Sequence, residues 1–302
     1  MTPLPYAYSM PILLTSDLDA HVHDQSREDF RIIQAGARQA GWKVLTLPNS
    51  KAALTEALAG LSSTAGPILF SGYHLAPDQH RQLAAATEET GHQLLMTPKE
   101  SMSAMYFDRW YPLLDRYTAE SVIIDGVVQD DPRGPVSVGE KLGYPVFVKG
   151  MIKSRKESGM IACRADDQAD LERVIMEYSK ERPGSLAIRK LLPLRSQGMD
   201  HNGFPISREY RLFIHDGRLL GSGFYWAGED PFGRLTADEQ DTVIGLARLA
   251  GERIRCPLLA VDVAQLEDGS WKIIEIGDPQ FARINQHMLP LAYFSLLATH
   301  LS

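Results

Sequence analysis

Residues 258–280 read LLAVDVAQLEDGSWKIIEIGDPQ, two apolar runs joined by Asp268-Gly269 and each broken once by a carboxylate, Asp262 and Glu275. The Asp-Gly pair supplies the positive-φ position that a tight reversal needs, so the segment reads as a β-hairpin. Strands this apolar are covered on at least one face, and an ionised carboxylate buried there without a partner is too costly to persist. Either both side chains face solvent on an edge, or they share a face where a cation relieves their repulsion. For the second outcome Mg²⁺ suits the donors, because it takes oxygen ligands and bridges carboxylates to nucleotide phosphates. Asp278, just past the second arm, either joins them or only turns the chain.

The chain before this hairpin changes grammar once. Residues 10–17, 42–48, 67–73 and 93–98 read as strands, separated by helices over 27–40 and 77–90, each followed by a glycine, Gly41 or Gly91. Strand–helix alternation with short connections implies a parallel sheet covered by helices. Residues 99–117, KESMSAMYFDRWYPLLDRY, read as a helix stopped near Pro112 whose aromatics pack on both neighbours or touch a ligand. Beyond 121 the pattern is antiparallel. Short β runs precede a helix over 167–181, His215-Asp216-Gly217 marks a second hairpin, and a helix follows from Thr236 to Ile254. The fold class expected is α/β followed by α+β, with the boundary between 98 and 120.

A length of 302 residues fits two domains or one elaborate α/β domain, and 44% apolar with 23% charged residues is the mix of a globular chain. The net charge of −7 argues against a broad nucleic-acid surface. No apolar run approaches the ~20 residues that span a bilayer, and no secretory leader is readable. Cys163 and Cys256 lack zinc or redox spacing. A cytoplasmic protein without membrane contact is expected.

Other charges sit in apolar strands. Lys149 ends YPVFVKG, and Lys153, Ser154, Ser158 and Gly159 follow in a loop, an arrangement suited either to gripping phosphate or to a solvated basic turn. Arg189 and Lys190 are adjacent in AIRKLLP, so alternation sends one inward. Arg208, Glu209 and Arg211 open the strand SREYRLF, where an arginine suits phosphate and a structural salt bridge is the simpler use. The polar stretch 195–205 reads as a loop. No P-loop, HExxH or GxSxG spacing is present, the stretch holding His21 and His23 reads as a loop, and GSGFYW lacks the context of a dinucleotide site.

Taken in order, the lysine-ended strand, Ser/Gly loop, helix, REYRLF hairpin, helix and VDVA…DG.W.IIEIGD hairpin resemble the ATP-grasp superfamily, in particular a divergent clade from bacteria and phages. The likeness covers residues 98–280. It implies a pre-ATP-grasp parallel-sheet domain over 1–97, a linker helix over 98–120 and an ATP-grasp nucleotide-binding and catalytic domain over 121–302. By position, Lys149 looks like the strand lysine on ATP phosphate. Lys153 and Ser154 look like a second basic position and the start of a mobile loop. Arg189, Lys190, Leu191 and Leu192 correspond to the hinge strand beside adenine. Arg211 matches a position facing phosphate or acyl-phosphate, with Glu209 nearby, so Arg211 and Lys153 are the expected catalytic residues. Asp262 and Glu275, with Asp278, match the metal carboxylates. Gly277 stands where many relatives have an asparagine ligand, and Arg189-Lys190 replaces an acidic hinge residue.

The implied cofactors are ATP and Mg²⁺. The implied activity is an ADP-forming ligation of a small-molecule or peptide carboxylate to an amine, or less often a thiol, through an acyl-phosphate. The alternatives are a nucleotide-binding regulatory or scaffold protein without turnover, motivated by Gly277, and a ligase acting on nucleic acid, which the charge disfavours.

Overall fold

The computed structural model describes residues 10–16, 24–47, 51–61, 66–126, 133–181, 184–284 and 287–301; Asp17, His21, His23 and Pro48 lie outside the described residues. The first layer comprises β1 (Ile12–Thr15), α1 (Asp24–Gln39), β2 (Lys43–Thr46), α2 (Lys51–Ala59), β3 (Ile68–Ser71) and α3 (Pro77–Glu89). Its strands pair in parallel in the order β2-β1-β3, with Ile12 beside both Lys43 and Ile68. Every residue of β1 and β3 is buried, as for strands covered by helices on both faces. Gly41 and Gly91 lie just beyond α1 and α3 at φ +83° and +77°, where a Cβ would be strained.

The fourth strand expected at 93–98 is reduced to one bridge, Ile68 to Leu94. Helix initiation wins there. Thr97 and Glu100 form a reciprocal capping box, and Pro98 opens α4 (Pro98–Met105) at a position where a missing N–H costs nothing. The single helix expected through Met105 and Tyr106 is broken at Tyr106, and Pro112 lies inside the next helix, α5 (Phe107–Leu114). The break has a tertiary cause: Phe107 N–H donates to Met151 O at 2.7 Å, a carbonyl distant in sequence. Phe107, Trp110 and Leu114 are buried in the central core.

The second layer comprises β4 (Ser121–Ile124), α6 (Arg133–Leu142), β5 (Val146–Gly150), β6 (Arg164–Ala165), α7 (Gln168–Glu181) and β7 (Leu186–Lys190). The strands are antiparallel in the order β4-β7-β5-β6, and Leu171, Val174 and Ile175 of α7 pack on Val146, Val148 and Ile188. Residues 195–205, expected as a loop, contribute instead to a hairpin of β8 (Ser196–Met199), which is exposed, and β9 (Pro205–Ser207), which ends in the buried Ser207.

The third layer is an antiparallel sheet of β10 (Glu209–His215), β11 (Arg218–Phe224), β12 (Leu258–Gln265) and β13 (Trp271–Gly277), in the order β11-β10-β12-β13, with α8 (Ala237–Ile254) between β11 and β12 in sequence. Both expected reversals form, with positive φ at Asp216, Gly217 and Gly269. Every residue of β12 is buried, and Val243, Ala247 and Ala250 of α8 share its core. Helix α9 (Pro290–Leu301) then returns to the first layer. Pro290 fills the space a side chain on Gly36 of α1 would need, and Trp42 Nε1 donates to Phe294 O at 3.0 Å. Among the described residues no helix is long and apolar enough to cross a membrane.

Candidate functional site

Hairpin register puts Asp262 of β12 directly opposite Glu275 of β13, and a bulge follows, because Val263 pairs with Ile273. On the other side of β12, Asp262 faces Arg211 of β10. The guanidinium grips this aspartate with two bonds of 2.7 Å, Nε to Oδ1 and Nη2 to Oδ2. Glu275 finds its cation outside the sheet: Lys149 Nζ, near the end of β5, donates to Oε1 at 2.7 Å. The two antiparallel sheets are therefore joined by an ion pair at their facing ends. Pairing and hydrogen bonding meet the cost of holding these charges away from water.

The electrostatics follow from this packing. Burial alone would raise the Glu275 carboxyl, but Lys149 and Lys156 bring it down to about 2. Burial works against the Lys149 ammonium and lowers its pKa, although Glu275 opposes that. For Arg211 burial is outweighed by Asp262, and its pKa is raised. Glu209, buried and accepting from Ser207 Oγ at 2.9 Å, is pushed up to about 7 by burial and by the charge of Asp262. Arg189 is brought down to about 10 by burial; it donates to Ile274 O at 3.1 Å and Thr118 Oγ1 at 2.8 Å. The Phe107 ring lies under two of these cations, with its centre 5.0 Å from the Arg189 guanidinium carbon and 5.4 Å from Lys149 Nζ.

Two cavities meet at this charge cluster. One, of about 520 Å³, lies beyond the carboxyl end of β3, where α/β sheets commonly bind ligands; Tyr73 and His74 form one wall, and Lys153, Arg211, Asp262 and Asp278 the other. The second, of about 330 Å³, lies between the antiparallel sheets, with Lys149, Arg189, Lys190, Leu191, Leu192 and Glu209 in its lining. Ser154, Lys156 and Glu275 line both. A third cavity, of about 570 Å³, reaches the first from the side of β11 and shares Arg211, Tyr225 and Arg283 with it.

The expected site residues thus fall around one connected space, with differences in detail. Arg189 is the inward residue of its pair and Lys190 the exposed one. Lys153 is exposed at the rim. Asp278 lies past the end of β13 and turns its carboxylate onto Gln280, whose N and Nε2 each donate at 2.9 Å; burial raises its pKa. The expected set of three carboxylates is accordingly an opposed pair plus a turn-forming aspartate. Among the described residues no three His, Cys, Asp or Glu side chains stand together as a metal group. The pair Asp262 and Glu275 still offers the oxygen donors Mg²⁺ prefers, and that ion is commonly held by one or two carboxylates with phosphates completing its shell. Sequence reasoning missed Lys156, Tyr225 and Phe107. Lys156 left a trace as one of several basic residues in KSRKESG, and Phe107 as one of the aromatics of 99–117; Tyr225 left none.

Among solved structures the fold resembles D-cycloserine synthetase DcsG, with a TM-score of 0.63 and 13% identity over 97% of this chain and 100% of that one. It resembles D-alanyl-alanine synthetase A from Vibrio cholerae at 0.64 and 12%, over 97% and 98%. D-alanine–D-alanine ligase from Bacillus anthracis complexed with ATP gives 0.60 and 14%, over 96% and 94%. No curated protein matches the sequence. The parallel sheet followed by antiparallel sheets is thus a fold shared with ATP-dependent ligases. The sequence profile described as ATP-grasp domain, R(2)K clade family 3, matches residues 138–294, just over half of the chain. By that match the chain belongs to the R(2)K clade of ATP-grasp proteins, family 3.

Proposed function

We propose that this protein is an ATP- and Mg²⁺-dependent, ADP-forming carboxylate–amine ligase that works through an acyl-phosphate. The observation that carries the reading is the opposed pair Asp262 and Glu275, each held by a basic side chain from a different strand, at the point where two cavities meet. In this reading residues 1–97 are the pre-ATP-grasp domain, 98–120 the linker and 121–302 the nucleotide-binding and catalytic domain.

Leu191 and Leu192 would hold adenine in the smaller cavity, and Lys149, Ser154, Lys153 and Arg211 would hold the phosphates. Asp262 and Glu275 would hold Mg²⁺, which when bound would neutralise phosphate charge. A substrate carboxylate oxygen attacks the γ-phosphorus and ADP leaves; the amine nitrogen then attacks the acyl carbon, loses a proton and expels phosphate. Arg211 and Lys153 stabilise the charge that develops on the transferred group. No covalent protein nucleophile is needed. The third cavity supports a reaction of two substrates besides ATP, because it gives a separate approach to Arg211.

Isothermal titration of ATP and ADP, with and without Mg²⁺, into wild type and Glu275→Gln tests the nucleotide site. Metal-dependent binding that weakens in the variant is expected, followed by release of ADP and phosphate only when a carboxylate and an amine are both present. Absence of nucleotide binding in folded wild type would overturn the reading; binding without substrate-dependent turnover would favour a regulatory protein.

A further inference from the structure

His287 is buried between β13 and α9, and the nucleotide chemistry above makes no use of it. Its backbone crosses β11 so closely that a side chain on Gly223 would strike the His287 carbonyl. The imidazole stacks on Tyr225, with ring centres 5.8 Å apart and planes 25° from parallel. Nδ1 stands 3.2 Å from Phe224 O. A carbonyl only accepts, so the proton of the neutral ring sits on Nδ1 and Nε2 carries a bare lone pair. Burial, and after it the charge of Arg211, brings the pKa of His287 down to about 4, so the ring is neutral near pH 7.

Nε2 has no partner among the described residues and is not sealed from solvent, and the residue lines the third cavity together with Arg211. The two arginines of that lining each already hold a carboxylate, Arg211 on Asp262 and Arg283 on Asp29. Asp200, also in the lining, adds a further acceptor. A group that settles against Nε2 must therefore donate a hydrogen. An amine does so; a carboxylate would set its own lone pairs against that of the ring.

We propose that the third cavity is the amine site of the ligase, and that His287 Nε2 accepts a hydrogen bond from the attacking nitrogen. This rests on the ligase reading above. Ile206, Tyr225 and Trp226 in the lining suit an amine with an apolar or aromatic body. Held through one N–H, the nitrogen keeps its lone pair for the acyl carbon of an acyl-phosphate at Arg211 in the same cavity. The carbon–nitrogen bond forms, the bond from that carbon to the phosphate oxygen breaks, and phosphate leaves with the electron pair. The proton that the nitrogen sheds goes to the released phosphate, a stronger base than this imidazole. His287 thus binds and aims the amine without changing its own protonation.

The test uses two probes of matched shape, aniline, an uncharged donor at neutral pH, and benzoate, which only accepts. Each is titrated into full-length protein carrying nitrogen-15 in its histidine rings, and the imidazole nitrogens are followed by NMR. His287→Asn keeps an N–H toward Phe224 O and has nothing in place of Nε2; His287→Phe keeps a ring on Tyr225. Loss of a signal in either variant identifies His287. In wild type Nδ1 is expected to be protonated and Nε2 bare, and aniline, not benzoate, is expected to move the Nε2 signal. Aniline affinity should fall by about tenfold in His287→Asn, the scale of one lost hydrogen bond. A protonated Nε2, a signal unmoved by aniline, an equal response to benzoate, or equal aniline affinity in His287→Asn overturns the proposal. AMP-PNP with Mg²⁺, titrated into the same proteins, judges the ligase reading separately: it should bind wild type and both variants alike, and its failure to bind wild type counts against the nucleotide site whatever the Nε2 signal does. Circular dichroism of each variant confirms that the fold persists.

Discussion

Strand β1 of the parallel sheet and strand β12 of the last antiparallel sheet are both buried at every residue, yet they are built on different principles. In β1 the one polar side chain, Thr15, is met by a neutral donor, Gln34 Nε2 at 2.9 Å. In β12, no less buried, Asp262 carries a charge, and the neighbouring strand supplies Arg211 to hold it. The first sheet answers to volume and the second to charge. Burial alone therefore does not tell which strands pack and which act; the chemistry of the partner does.

The largest expected effect tests that contrast directly. Arg211→Met leaves Asp262 buried without a partner and should destabilise the fold by about 3–5 kcal/mol. The double variant with Asp262→Leu should recover most of that loss in a denaturation experiment. If the double variant is no more stable than the single one, the charge is not what the third sheet is built around. In the first sheet, Leu14→Ala should cost about 2–5 kcal/mol through lost contact and a residual cavity. Its cost should not change with pH, and the affinity for ATP should stay that of wild type.

Glu209 gives a smaller effect with a defined sign. Its carboxyl is raised in the folded protein from 4.5 to about 7, so the stability it contributes is full below pH 4.5 and falls as pH rises through 7. Glu209→Gln should therefore match wild type at pH 4.5 and exceed it at pH 8 by on the order of 1–3 kcal/mol. Thermal melts at the two pH values decide it; a gap that narrows toward pH 8 would contradict burial as the cause. The smallest expected effect lies in the loop over 153–159, which should resist proteolysis better with ATP and Mg²⁺ than without. Equal cleavage would count against its closing over phosphate.

Much of this organisation is legible in the residues. The Asp216-Gly217 and Asp268-Gly269 reversals follow from local backbone preference, and carboxylates set into apolar strands mark Asp262 and Glu275 because burial makes charge conspicuous. Helix α2 is harder to see, since KAALTEALA lacks the contrast between faces that marks an amphipathic helix. The break at Tyr106 depends on a carbonyl at Met151, and no local pattern encodes such a partner. In KSRKESG three cations look alike, yet Lys153 goes to solvent, Arg155 to α7 and Lys156 to the site. The glycines of GSGFYW, unsuited to a dinucleotide, have a packing use: Met288 and His287 lie where side chains on Gly221 and Gly223 would stand.

The return of α9 to α1 has a mechanical consequence. Because the chain's last helix is fastened to its first layer, through Pro290 on Gly36 and Trp42 on Phe294, early and late segments form one fixed jaw. The β4–β7 sheet is then an arm spliced into the middle of the polypeptide. The chain crosses to it at residues 118–121 and returns at 190–195, where Arg195 N–H donates to Gln265 O and Glu267 N–H to Pro193 O, both at 2.9 Å. Tyr111 braces the first by donating from its hydroxyl to Ser121 O at 3.0 Å and accepting from Ser121 N at 2.8 Å. Arm and jaw are clasped at two points, Lys149 on Glu275 at 2.7 Å and Arg189 on Ile274 O at 3.1 Å.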